Sequence, residues 1–234
     1  QMKLHIFNPE HDIALAANQE CFTAPHAGRR LRTDLGFIPA FWASEGDMVL
    51  VDDVEAAIEA RRHLRKFGND VVFVTAADLK DFTLDDVKSF QVEPWGWDRT
   101  IKEQLLRANK GLEPFMPSDD ALATIREMSN RRFAAEHLLP VLREIAESQT
   151  VGESHYCTTM EEVLQVLKRN GRSVLKSPWS SSGRGVRYVE TTVLDAHLEG
   201  WAANVVKRQG GIMVEPLYSK VYDFRSEERR VGKE

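Results

Sequence analysis

Short apolar runs alternating with amphipathic segments constrain the first part of this chain more than any other feature. Residues 3–7 read as a strand closed by Asn8-Pro9, and residues 10–18 place Ile13, Ala14 and Ala17 at helical spacing. A second helix is expected over residues 25–35, with proline in its first turn and Gly36 just past its end. Residues 48–51 are a short buried-strand candidate, residues 53–66 the clearest helix, and residues 70–75 a further apolar strand. This β-α-β-α-β rhythm predicts a small, mainly parallel sheet covered by helices, because parallel strands need a crossover between them. Ligands of such sheets collect beyond the carboxyl ends of the strands.

A different pattern follows. Pro94-Trp-Gly-Trp97 signals a turn, residues 98–109 and 118–128 read as helices, and residues 130–145 continue helical with Pro140 bending or interrupting them. Strand-like residues return at 155–157, and a helix over 159–168 starts with Thr159 and Glu162 in capping-box spacing. Then comes Ser173-Val-Leu-Lys-Ser-Pro-Trp-Ser-Ser-Ser-Gly-Arg-Gly-Val186, a short apolar strand with a lysine at its end that opens into a Ser/Gly loop. Polyphosphate recognition calls for those parts: free backbone N–H groups, added hydroxyl donors and a cation held by regular structure. After a helical stretch, Gly211-Ile-Met-Val-Glu-Pro-Leu-Tyr218 reads as another buried strand, ending in an acid and a proline.

Other nucleotide motifs fit worse. No Gly, four residues, then Gly-Lys-Ser/Thr is present. Gly183-Arg184-Gly185 begins like a dinucleotide fingerprint, but Tyr188 stands where its third glycine belongs, and residues 186–189 read as strand instead of helix.

Lysine strand, Ser/Gly loop, helix and Val-Glu-Pro strand, in that order, resemble the ATP-grasp superfamily of ATP-dependent carboxylate–amine and carboxylate–thiol ligases. The resemblance covers roughly residues 129–224. It implies an α/β (α+β ATP-grasp-like) fold, with an N-terminal, mainly parallel sheet over residues 1–115 and a partial ATP-grasp domain over residues 116–224. It also implies ATP as the nucleotide, held between two subdomains, and a carboxylate activated as an acyl phosphate. Lys176 matches the strand lysine that reaches the α-phosphate and adenine edge. Ser180, Ser181, Ser182, Gly183, Arg184 and Gly185 match the phosphate-covering loop. Glu215, Pro216 and Leu217 match the segment that meets adenine and ribose, and Asp223 follows at a distance suited to ribose or phosphate. Arg131 or Arg132 stands where the family commonly has a further lysine, and Arg differs from Lys in geometry and hydration.

The family's magnesium ligands lie downstream of the last strand, so magnesium would be held beyond the end of this chain. Residues 225–234 change abruptly to a predominantly polar run and are expected to be a non-native tail on a truncated module. Two other readings stay open: an ATP-grasp kinase, and a non-catalytic nucleotide-binding or sensing module.

A second polar cluster follows the first strand: Asn8, Glu10, His11, Asp12 and His26, with Thr23 between them. It is a candidate pocket for a small-molecule or peptide carboxylate or amine substrate. His11, His26 and Cys21 have no recognised metal-ligand spacing. The formal charge of -5 argues against nucleic acid as a partner, so Arg29-Arg30 and Arg61-Arg62 read as solvated helix faces. Two cysteines supply no disulfide framework, and no apolar run approaches the ~20 residues that span a bilayer. A cytoplasmic protein without membrane contact is expected.

Overall fold

The structure is a computed structural model and describes residues 2–62, 64–83, 89–146, 150–180 and 183–222. The fold is mixed α/β with one parallel and one antiparallel sheet, each in its own compact unit. The first unit comprises Gln1–Leu138 and Pro178–Gly185, the second Leu139–Ser177 and Val186–Glu234.

In the first unit the order is β1 (Met2–Ile6), α1 (His11–Ala17), α2 (His26–Leu35), β2 (Met48–Leu50), α3 (Val54–Arg62), β3 (Val72–Val74), α4 (Ala76–Lys80), β4 (Phe90–Pro94), α5 (Arg99–Ala108), α6 (Asp119–Met128) and α7 (Arg131–Phe133). The strands pair in parallel in the order β3-β2-β1-β4, with Leu4 opposite Met48 on one side and Val92 on the other. Period-two alternation sorts β1. Leu4 and Ile6 pack with Met48, Val92, Ile101 and Leu105, while His5 points to the opposite face alongside Val49. Val49, Val51, Phe37 and Ala57 build a second core there, so both faces are covered.

β4 is not signalled by the Pro94–Trp97 turn pattern; its pairing with β1 is a long-range contact that no local window contains. Arg61 departs from the solvated-face expectation. It is 9% exposed and donates to the Asn69 carbonyl, whereas Arg62 stays in solvent beside Glu59. Helix periodicity cannot tell which of two adjacent arginines turns inward.

The second unit contains α8 (Leu139–Ala146), β5 (His155–Cys157), α9 (Met160–Asn170), β6 (Ser173–Lys176), β7 (Val186–Val189), α10 (Ala196–Gln209) and β8 (Ile212–Pro216). A π turn over Ala134–Leu138 joins α7 to α8, just before Pro140. A proline without an N–H is accommodated where the α-helical ladder is already interrupted. The four strands pair antiparallel in the order β5-β8-β6-β7. Leu175, Ile212 and Val214 face α9 and α10 through Val163, Leu167, Ala202 and Val205. α9 begins with the full capping box of Thr159 and Glu162.

Candidate functional site

The second unit's candidate site follows from strand register. β6 sets Lys176 opposite Met213 and Val174 opposite Glu215. Opposed residues share a face, so Lys176, Val174, Met213 and Glu215 lie on the side of the sheet away from Leu175 and Val214. Lys176 and Glu215 are diagonal neighbours, and the Lys176 Nζ donates to Glu215 Oε2. The other carboxylate oxygen, Oε1, accepts from Ser154 Oγ at 2.9 Å. Both side chains keep about a quarter of their surface in water, 29% and 24%. Val174 and Met213, on the other diagonal, are 8% and 0% exposed, so what these four residues present is the cation and the anion.

The segment after β8 is partly engaged. Pro216 has no N–H, and the Leu217 N–H donates to the Arg172 carbonyl at 2.9 Å. Carbonyl oxygens and the Glu215 side chain are therefore the groups that residues 215–217 can offer a base or sugar.

The Ser/Gly segment belongs to the first unit by its contacts. Arg131, the first residue of α7, donates from Nη1 to Ser180 Oγ at 2.8 Å and from Nη2 to the Ser180 carbonyl at 3.1 Å. Its backbone N–H bonds the Pro178 carbonyl. Trp179 is 6% exposed, donates from Nε1 to the Arg126 carbonyl, and lies 3.8 Å beneath the Arg126 guanidinium. Trp179 and Arg131 thus anchor the entry to the loop. Gly183 takes φ +71° with open space where a side chain would stand, and Arg184 beside it is exposed. Ser181, Ser182 and Asp223 lie outside the described residues.

A cavity of about 910 Å3 opens in the first unit. Its floor is the carboxyl ends of β1, β2 and β3 through Asn8, Val51, Asp52 and Thr75, the edge where ligands of parallel sheets collect. Two helices wall it at helical spacing: α2 and its end through Arg29, Arg32, Thr33 and Gly36, and α5 through Ile101, Gln104, Leu105 and Ala108. Arg107 and Thr23 add to the lining.

Of the residues singled out after the first strand, Asn8, Glu10 and Thr23 reach this cavity. Asn8 is 1% exposed and clamps the loops after β1 and β4, exchanging hydrogen bonds with the Gly96 backbone at 2.8 and 3.2 Å. Glu10 Oε1 accepts from Arg32 at 2.8 Å; its Oε2 is buried without a hydrogen-bond partner. His11 lies outside the lining and meets Asp98 Oδ2 at 3.0 Å, while Asp98 Oδ1 caps α5 at the Ile101 N–H. Asp12, in the first turn of α1, and His26, exposed at the start of α2, do not line the cavity. Arg29, Arg32 and Gln104 are additions that sequence reasoning missed. Their signal is the convergence of two helical stripes, visible once both helices are set on the same sheet edge.

Among the described residues no group of three or more His, Cys, Asp or Glu is placed to hold a metal ion, and no helix is long and apolar enough to cross a membrane. Neither a family model nor a curated protein matches the sequence. Among solved structures, the chain is similar to the crystal structure of an ATP-grasp RimK domain protein from Sphaerobacter thermophilus, at 20% identity and a TM-score of 0.35. The match covers 75% of this chain and 64% of that one, so this chain spans just under two thirds of the other's length.

Proposed function

We propose that this chain is the nucleotide-binding part of an ATP-grasp-type ligase, which joins a carboxylate to an amine or thiol through an acyl phosphate. One observation carries the reading: Lys176 and Glu215 sit paired on the same face of the second sheet, beside Val174 and Met213. A ribose needs a hydroxyl acceptor and an α-phosphate needs a cation; Glu215 supplies the first and Lys176 the second.

ATP supplies the phosphoryl group when bound; the chain's own residues bind and orient it. Lys176 trades its Glu215 partner for phosphate oxygens, a charge-assisted contact at least as strong. Ser154 keeps Glu215 in place during that exchange through its bond to Oε1. Among the described residues no group of three or more His, Cys, Asp or Glu fits a magnesium site. The Arg131 anchor at Ser180 fixes one end of the Ser/Gly segment, leaving Gly183 the backbone freedom to change shape.

An azido-ATP photoprobe on the whole chain, followed by peptide mapping, tests the proposal. Label on peptides containing β6 or β8, suppressed by unlabelled ATP, is expected. Label that avoids both strands contradicts it.

A further inference from the structure

The first unit's cavity carries a charge pattern that the nucleotide reading does not use. Arg32 is matched by Glu10 and Gln104, and Arg107 by Glu103. Arg29 lines the cavity one helical turn before Arg32, and its side chain has no hydrogen-bond or ion-pair partner among the described residues. Negative charge is left over as well. Among the described residues Asp52, on the same lining, has the Thr33 hydroxyl at 2.6 Å and no cation.

A guanidinium and a carboxylate without ionic partners in one cavity call for a ligand that carries both complements. A simple anion would leave Asp52 facing it, and a simple cation would meet Arg29. The volume of about 910 Å3 falls in the ~300–1,000 Å3 range of small-molecule sites. We propose that this cavity binds a small zwitterion of the α-amino-acid class, its carboxylate held by Arg29 and its ammonium by Asp52. The arrangement resides in the first unit alone, so it holds whether or not the second unit binds nucleotide.

The test is calorimetric titration of the full chain with each of the standard L-amino acids at up to about 10 mM, a range that reaches weak millimolar affinity. Any amino acid that binds is then compared with its deaminated acid and its decarboxylated amine. The expected result is saturable binding of at least one amino acid, with either analogue weakened at least about tenfold by loss of one charge-assisted contact. Arg29→Ala should weaken binding to the same degree. Arg30→Ala, whose side chain pairs with Asp34 in solvent, should leave it unchanged. Because Arg29 is exposed and makes no contact that holds the fold, an unchanged circular dichroism spectrum is expected for its variant. The proposal is overturned if no amino acid binds, if a deaminated acid or decarboxylated amine binds as well as its parent, or if the Arg29 and Arg30 variants behave alike.

Discussion

Glu215 lies on the diagonal from Lys176 because β8 runs antiparallel to β6 with Met213 opposite Lys176. A slip of one residue would turn Glu215 towards α9 and α10 and leave the lysine without it. The pair is therefore a property of register, which the apolar face of Leu175, Ile212 and Val214 enforces. An ion pair with this much water contact is worth little to stability, about 0–1 kcal/mol. Lys176→Ala should shift the unfolding free energy by no more than that in urea denaturation. A loss of several kcal/mol would make the lysine a structural element.

Gly96 is predicted to be intolerant of a side chain. An added Cβ would stand 2.3 Å from the His11 ring, which bonds Asp98. Gly96→Ala must displace that ring and disturb the Asn8–Gly96 clamp, at a cost of about 1–3 kcal/mol. A lowered urea midpoint with an unchanged slope is expected, and an unchanged midpoint contradicts the packing described.

Asp47 links stability to acid. Burial raises its carboxyl pKa, but bonds from His5, the Ser44 N–H and the Lys3 N–H outweigh it and hold the group below the ordinary 3.8. A depressed folded value gives stability that is present above the unfolded pKa and lost as pH falls through the folded one. The stability gap between the wild type and Asp47→Asn should therefore narrow as pH drops from neutral to below 3.8. A gap that stays constant in chemical denaturation over that range removes the linkage.

The two cysteines should differ in reactivity. Cys21 is exposed, whereas burial pushes the Cys157 thiol up from 9.0 to about 11 and keeps it protonated. A thiol reagent should label Cys21 in the folded protein and both residues only after unfolding. The raised thiol also means that stability falls as pH climbs above 9.0, where the unfolded chain ionises first. Equal labelling rates in the folded state contradict the burial.

Much of this fold is legible in local sequence because its helices carry their own punctuation. Thr159 with Glu162 marks the start of α9, Gly171 its end, and Gly36 the end of α2. β4 is not legible because its partner β1 is far away in sequence, and the inward turn of Arg61 is not because helix periodicity cannot tell which of two adjacent arginines meets Asn69 and Asp70. At the sites the same division holds. The loop after β1 advertises itself through a run of polar residues, and the cavity there includes Asn8 and Glu10. Arg29 is hidden by its neighbour: Arg30 faces solvent and Asp34, and adjacent arginines on a helix look alike until the sheet beneath them is known.

The most direct measurement of the central claim is calorimetric titration of ATP, or a non-hydrolysable analogue, onto the full chain and its Lys176→Ala and Glu215→Ala variants. Saturable binding by the parent chain is predicted, weakened at least about tenfold in each variant through loss of a charge-assisted contact. An absence of binding, or variants that bind as tightly as the parent, would contradict it.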